Sequence, residues 1–318
     1  MSKKSDEQGR AYEYAWITTL YDELSKIRNT TITKNSSLET NRRSWNSIPS
    51  ELQNLFKVSA NAAVDTILKL EPLMTDNSQE DELILTAQKD EAGMQGDVRD
   101  IVVSRDNIKW EIGLSIKHNH NAIKHSRLSR TIDFGQKWFN IPCSKEYWDD
   151  VNPIFDFLES DEISNLNWSE LENKEDDVYY PLLKAFMNEI IRAYSSNKNM
   201  PRNMIEYLIG TNDYYKVVSH DSKKLTLIHT FNMHKTLNKP SKLEVSAFEV
   251  PITNLPTELI AVKFAKGKKN KIEMYLNNGW QLSFRIHNAS THIQSSLKFD
   301  IQFIGMPVSI LNIECKWR

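Results

Sequence analysis

The sequence predicts an α+β (mixed α/β) fold, in which helices flank a sheet and the last third of the chain is rich in strands. Apolar residues recur at helical spacing through most of residues 9–210. From Tyr214 onward, short runs of β-branched and aromatic residues alternate with turn signals. We therefore expect two regions. Residues 1–210 would hold the helices and a β-hairpin, and residues 211–318 would form a β-rich region.

The first predicted helix covers residues 9–27, because Tyr12, Trp16, Leu20 and Leu24 recur every four residues. A second helix is predicted over residues 47–70, with Pro49 in its first turn, where proline is favoured. Residues 29–45 are rich in Thr, Asn and Ser and are predicted to form a surface loop. The remaining predicted helices are 121–137, 147–195 (in two segments) and 201–207.

A β-hairpin is predicted between residues 101 and 117, where two apolar runs flank a short polar break. A second hairpin is predicted around Asn277-Asn278-Gly279, which is a strong turn signal. The other predicted strands are 83–87, 215–218, 225–231, 259–264, 272–276, 280–288 and 297–305.

Composition indicates a globular protein, with 40% apolar and 26% charged residues. The two cysteines, Cys143 and Cys315, lie far apart, so neither a disulfide framework nor a structural zinc site is predicted. The first ten residues lack the apolar core of a signal peptide, and no apolar run reaches membrane-spanning length. We expect a cytoplasmic protein without a membrane partner.

The net charge of −2 hides an uneven distribution. Residues 117–145 carry six Lys or Arg against one acid, residues 146–180 twelve acids against one Lys, and residues 261–298 seven Lys or Arg against one acid. Two basic regions separated by an acidic one are compatible with a DNA cleft whose outer faces are acidic. The alternative is that these charges form the solvated faces of an ordinary enzyme.

The predicted hairpin carries the candidate catalytic residues. Asp97 and Asp100 stand before its first strand, and Lys117 ends its second strand. Metal-assisted cleavage of a phosphodiester needs hard oxygen ligands for Mg²⁺ and a cation for the charge that develops on the phosphate. We assign Asp100 as the first ligand, Asp97 as the second and Lys117 as the cation or water-activating group. The alternative is a charged surface hairpin.

The third carboxylate is unassigned, because Ser115 stands where the usual Asp…(Asp/Glu)-x-Lys arrangement has an acid. Glu111 shares a strand face with Lys117, but six residues span up to ~20 Å. Glu13, set among the aromatic residues of the first helix, is the slightly preferred candidate. It could instead be a boundary charge paired with Arg10.

Two basic segments are candidates for DNA contact. Histidine, asparagine and basic side chains directly after the lysine favour phosphate contacts beside the scissile bond, although two of the histidines could instead bind a metal. In the second segment, Arg285 suits guanine, with the alternative of an ordinary strand-surface charge. The loop 266–271 is either a phosphate clamp or a solvated turn. The candidate DNA-binding residues are His118, Asn119, His120, Lys124, His125, Arg127, Arg285, His287 and Asn288.

The stretch GDVRDIVV…EIGLSIKHNHNAIKHSR at 96–127 resembles the HaeIII family of type II restriction endonucleases. GRAYEYAW at 9–16 and residues 277–305 are similar to segments of the same family. The resemblance implies a PD-(D/E)XK nuclease core, Mg²⁺ dependence, and cleavage of GGCC between the central G and C to leave blunt ends. The family's core Asp and Lys would map onto Asp100 and Lys117, whereas Ser115 departs from the acidic position.

Three functions remain open from the sequence: a site-specific endonuclease, a repair or recombination nuclease on the same core, and a DNA-binding protein without catalysis. The first is preferred, with double-stranded DNA as its partner. Residues 1–210 would then hold the catalytic hairpin, and residues 211–318 would serve DNA recognition. A palindromic site would suit a homodimer. A cognate DNA methyltransferase is expected in the same system, with no direct binding implied.

Overall fold

The computed structural model describes residues 3–89, 96–119, 123–246 and 248–318. It confirms the α+β prediction, with two β-sheets and flanking helices. The helices are α1 Lys3–Leu24, α2 Ser36–Ser47, α3 Ser50–Leu70, α4 Pro72–Thr75, α5 Phe134–Phe139, α6 Lys145–Glu159, α7 Asp161–Ser164, α8 Tyr180–Ser196 and α9 Met200–Ile209. The strands are β1 Thr30–Ile32, β2 Leu83–Ala87, β3 Ile101–Arg105, β4 Trp110–His118, β5 Lys124–Ser129, β6 Tyr214–His220, β7 Leu225–Phe231, β8 Leu259–Phe264, β9 Lys271–Leu276, β10 Gln281–Asn288, β11 Ser296–Gly305 and β12 Asn312–Lys316.

The chain forms two compact units, and each consists of separate segments. The first unit comprises Met1–Asn121, Thr211–Asn254 and Val308–Arg318, and the second comprises Ala122–Gly210 and Leu255–Pro307. The predicted division near residue 210 is one of four points at which the chain passes between the units. The units therefore differ from the predicted regions 1–210 and 211–318.

The first unit is built on a seven-stranded mixed sheet with the order β1-β2-β3-β4-β6-β7-β12. β3 and β4 are antiparallel, whereas β4 and β6 are parallel. The apolar stripes of α1 and α3 supply much of its core, including the fully buried Tyr12, Trp16 and Phe56. Helix α1 packs against β4, so a side chain on α1 can reach the end of the central strands.

A polar group is buried within this unit at the end of α3. The carboxylate of Glu71 accepts hydrogen bonds from the Tyr215 hydroxyl at 2.5 Å and the Asn238 backbone N–H at 2.7 Å. Burial raises the pKa of Glu71 to about 7, although both hydrogen bonds lower it. This carboxyl is therefore easier to bury at acidic pH than at alkaline pH.

The second unit contains an antiparallel sheet with the order β5-β11-β10-β9-β8. Phe284 and Phe299 on its inner face meet Phe186 of α8 at ring-centroid distances of 5.6 and 4.9 Å. The alternation of buried and exposed residues along β10 and β11 leaves the opposite face polar. This polar face carries several of the candidate DNA-binding residues.

Two local predictions are wrong. Residues 124–129 form a strand rather than part of a helix, because β11 pairs with this segment over six residues. Residues 36–47 form α2 rather than a surface loop, because the Asn35 side chain accepts a hydrogen bond from the Leu38 N–H and so caps the helix. Within the part of the chain that the structure describes, no helix is long and apolar enough to cross a membrane.

Candidate active site

The hairpin formed by β3 and β4 confirms the predicted element at the candidate site. Ile101 pairs with Leu114, and the pairing continues to the turn, where Lys109 has a φ of 51°. β4 extends beyond the start of β3 and pairs with β6 from Gly113 to His118. The segment 115–118 therefore lies beyond Ile101, the first residue of β3, and Asp100 stands beside this segment.

The carboxylate of Asp100 binds β4 just beyond the last β3–β4 register pair. Its Oδ2 accepts the Ile116 backbone N–H at 2.5 Å and the Ser115 hydroxyl at 3.3 Å. The Lys117 Nζ lies 3.0 Å from the same oxygen. The backbone N–H of Asp100 donates to the Leu114 carbonyl at 2.8 Å. These contacts hold Asp100 and Lys117 together in a fixed geometry.

Glu13 reaches the same place from α1. Its Oε2 accepts a hydrogen bond from the Asn41 side chain of α2 at 3.0 Å. Burial raises the pKa of Glu13 to about 8, and the negative charge of Asp100 adds to this effect, while Lys117 opposes it. The structure thus places Glu13, Asp100 and Lys117 close enough to influence one another, although the sequence separates them widely.

The two other candidate acids, Asp97 and Glu111, are both held by Arg99. The guanidinium lies 2.7 Å from Asp97 Oδ2 and 2.8 Å from Glu111 Oε1. Burial raises the pKa of Asp97, but hydrogen bonds from Arg99 and its charge outweigh this, so the pKa lies below its ordinary value. Both acids have the Arg99 cation as an ion-pair partner. Glu13 instead accepts a hydrogen bond from the neutral Asn41 amide, and the charges of Lys117 and Arg10 also act on it.

The donor set at Asp100 and Glu13 fits a hard divalent cation. Two carboxylates lie near one another, and burial, with a further contribution from the charge of Asp100, raises the pKa of Glu13. Among residues 3–89, 96–119, 123–246 and 248–318, no three His, Cys, Asp or Glu side chains are grouped to hold a metal. Two carboxylates are sufficient for Mg²⁺, which usually keeps several waters and takes further oxygens from substrate phosphates.

Sequence reasoning did not single out three residues around this site: Arg99, Asn41 and Lys216. Arg99 stands between two acids in the stretch Asp97 to Asp100, and this local signal could have identified it. Asn41 lies in a segment that was expected to be a loop. Lys216 is buried in β6, and a single lysine in a predicted strand gives no indication of burial.

The side chains of His118 and Asn119, directly after Lys117, make contacts within the protein. The His118 ring contacts Tyr12 and Phe56, with centroids 5.8 and 4.7 Å away, and its Nε2 lies 2.8 Å from Asp221 Oδ2. Asn119, with a φ of 51°, exchanges two hydrogen bonds with Asp221. Both side chains stabilise the end of β4. The next candidate, His120, lies outside the described residues.

The second unit brings residues 124–127 of the first candidate segment and residues 285–288 onto one sheet. On adjacent strands, His287 is the register partner of Lys298, and Lys298 is the partner of Arg127. Arg127 is exposed and donates to the Ser296 hydroxyl at 3.2 Å. Three basic residues therefore form a row across β10, β11 and β5.

A second row lies beside the first. Arg285 is paired with Asp300, at 3.1 Å between Nη2 and Oδ2, and the backbone of His125 pairs with Asp300 from the other side. The polar face of the sheet therefore offers an exposed guanidinium next to a carboxylate. Asp300 was not among the candidates, because its position opposite Arg285 depends on the strand register.

Two other candidates make internal contacts. Lys124 donates to the Tyr207 carbonyl at 2.8 Å and lies 3.7 Å from the centre of that ring. Burial lowers the pKa of Lys124 to about 8, with a further contribution from Lys137. Asn288 donates to the Ser290 carbonyl at 2.7 Å. These contacts favour structural roles for Lys124 and Asn288.

Carboxylates and a lysine at the end of central strands are the arrangement by which a metal-dependent nuclease cuts a phosphodiester. The comparisons with known proteins agree with this class. The family model of the HaeIII restriction endonuclease matches residues 9–307, and the chain belongs to that family.

The chain is 48% identical, over 319 residues, to the type II restriction enzyme HaeIII of Haemophilus aegyptius, and the match covers all of both chains. The protein is therefore a DNA-binding type II restriction endonuclease. Enzymes of this type generally need a divalent metal ion. No solved structure matches the chain.

Proposed function

We propose that this endonuclease hydrolyses both strands of duplex DNA at GGCC, with Mg²⁺, and cuts between the central G and C to leave blunt ends. The observation that carries the proposal is the convergence of Glu13, Asp100 and Lys117. Family membership and the full-length similarity to HaeIII support GGCC as the target, as the sequence resemblance implies.

The two carboxylates and the lysine have different roles in this proposal. Asp100 and Glu13 hold the metal ion, and Asn41 orients Glu13 through its side-chain amide. When bound, the metal supplies Lewis-acid chemistry, which lowers the pKa of water and offsets negative charge on the phosphate. Lys117, whose side chain is about one-third exposed, stabilises the charge that develops on the phosphate or orients the attacking water.

DNA contact is assigned to the basic rows of the second unit. Arg127 and Lys298 suit phosphate contacts, which position the protein without reading the sequence. Arg285 suits bidentate recognition of guanine. Because GGCC is palindromic, a two-fold homodimer would present equivalent sites to the two strands. We place the enzyme in the cytoplasm beside a cognate DNA methyltransferase, which need not contact it.

The test is digestion of a plasmid that contains GGCC sites, in Mg²⁺ and in Mg²⁺ with a chelator. We expect discrete fragments whose blunt ends map to GGCC, and no cutting with the chelator. A plasmid from which every GGCC has been removed is the control and should remain intact. Fragments that end at another sequence would overturn the assignment of the site.

The matched variant is Asp100→Asn, which keeps the shape of the side chain and removes its charge. We expect loss of cleavage with duplex binding retained in a mobility-shift assay. Full cleavage by this variant would remove Asp100 from the site. Cutting confined to branched DNA would favour the repair nuclease, and binding without cutting in either Mg²⁺ or Mn²⁺ would favour a non-catalytic protein.

A further inference from the structure

A second lysine, Lys216, lies beside the proposed catalytic residues on the neighbouring strand. Its register partner on β4 is Ser115, and its partner on β7 is His229. Residues two apart on a strand share a face, so Lys216 projects from the same side of the sheet as Ser115 and Lys117. It therefore stands next to the position from which the usual acid is missing.

Lys216 is buried, with 6% of its surface exposed. Burial lowers its pKa to about 7, and the positive charge of Lys117 lowers it further, while the negative charge of Asp100 raises it. A buried ammonium costs several kcal/mol unless an opposite charge compensates it. Lys216 thus interacts electrostatically with both Asp100 and Lys117.

The register partners of Lys216 on the two adjacent strands, Ser115 and His229, carry no negative charge. Ser115 has a short hydroxyl side chain, which donates to Asp100. Burial lowers the pKa of His229 to about 4, and Lys216 contributes to that shift, so the His229 ring is neutral at pH 7. An acid at position 115 would instead lie directly beside Lys216 and could pair with it. The serine places no second carboxylate at this register position, and the negative charge of Asp100 acts on Lys216.

We propose that Lys216 is a positioning residue for DNA cleavage. In its ammonium form, Lys216 attracts the Asp100 carboxylate from β6 and repels the Lys117 ammonium toward the exposed positions where a phosphate can meet it. Lys216 touches neither the DNA nor the metal and acts through these two residues. The inference rests on the proposed roles of Asp100 and Lys117.

The experiment compares Lys216→Met with Lys316→Met, which removes an exposed lysine from β12 of the same sheet. Single-turnover cleavage, duplex affinity and thermal unfolding are measured for both variants and for the wild-type protein. We expect Lys216→Met to slow cleavage by about 10- to 100-fold, as loss of a supporting partner does in metal sites. Its duplex affinity should be unchanged, and its thermal stability unchanged or higher, because a buried charge is gone.

The double variant Ser115→Lys with Lys216→Met moves the cation to the adjacent strand, ~4.8 Å away and on the same face. We expect it to recover most of the lost rate. A wild-type rate in Lys216→Met overturns the inference and leaves the proposed function intact. A slower rate that tracks the loss of folded protein, without recovery in the double variant, also overturns it. Failure of the wild-type protein to cut would instead overturn the proposed function, and this inference with it.

Discussion

The side chain of Arg99 lies directly over Gly113 on β4. A Cβ at Gly113 would be 1.9 Å from Arg99 Cδ and 2.4 Å from its Cγ, which is closer than any van der Waals contact. The same guanidinium binds Asp97 and Glu111. Gly113 therefore leaves room for Arg99, whose ion pairs fix the segment that precedes Asp100.

Substitution Gly113→Ala should displace Arg99 and loosen the segment before Asp100. We expect a loss of about 1–3 kcal/mol of unfolding free energy, as in other overpacked interiors, together with slower cleavage. Gly9→Ala is the matched control, because no atom lies within 4 Å of the added methyl group and the residue is helical. Denaturant unfolding and cleavage rates check both variants. A Gly113→Ala protein as stable and active as the control would contradict this account of Arg99.

The third carboxylate can be decided with Glu13→Gln and Glu111→Gln. We expect Glu13→Gln to lose cleavage by at least ~100-fold, because only one carboxylate remains beside Lys117. Glu111→Gln should stay within a few-fold of the wild type, since Arg99 keeps Asp97 as a partner. Cleavage rates across a Mg²⁺ titration are the measurement. The reverse ranking of the two variants would return the metal-ligand role to Glu111.

Two substitutions in the basic rows of the second unit test whether DNA affinity and sequence preference depend on different residues. Arg127→Ala should weaken binding to every duplex and reduce the slope of log affinity against log salt by about one, as expected for a phosphate contact. Arg285→Ala should reduce the preference for GGCC over a singly changed site by about 1–3 kcal/mol. Binding titrations at several salt concentrations measure both effects. If Arg285→Ala weakens all sequences equally, its role is a phosphate contact.

The buried Glu71 predicts a pH-dependent stability. Its folded-state pKa is about 7, above the ordinary 4.5, so its stabilising contribution is present below pH 4.5 and is lost as the pH rises through 7. The loss amounts to about 3 kcal/mol at 1.36 kcal/mol per pKa unit. Glu71→Gln should remove this dependence while it retains the hydrogen bond from Tyr215. Unfolding free energies at pH 5 and pH 8 test the difference between the two proteins, and equal losses in both would refute it.

Local pattern was sufficient for much of the fold. Helices α1 and α3 have long apolar stripes, and the β3–β4 hairpin has two apolar runs around a polar break, so their signals lie within the segment itself. β5 was mistaken for a helix because its strand state depends on pairing with β11, which follows far along the chain. Propensity is overridden where such a partner is available.

The candidate site could be predicted only in part, for a similar reason. Asp100 and Lys117 lie on one hairpin, and sequence spacing therefore brings them together. The engagement of Asp97 and Glu111 by Arg99, and the burial of Lys216, follow from tertiary contacts that no local pattern records. Glu13 was identified because a carboxylate among aromatic residues is unusual, although its proximity to Asp100 needed the packing of α1.

The alternation of the chain between its two compact units has a consequence for recombination. The unit with the antiparallel sheet is encoded by two separate stretches, Ala122–Gly210 and Leu255–Pro307. An exchange of this unit between relatives must therefore transplant both stretches at once, through four junctions. A chimera that receives one stretch alone would combine β5 from one parent with β11 from the other. A mismatch between them would expose an unpaired strand edge, which favours aggregation. Change within this unit is therefore easier by point substitution than by exchange of segments.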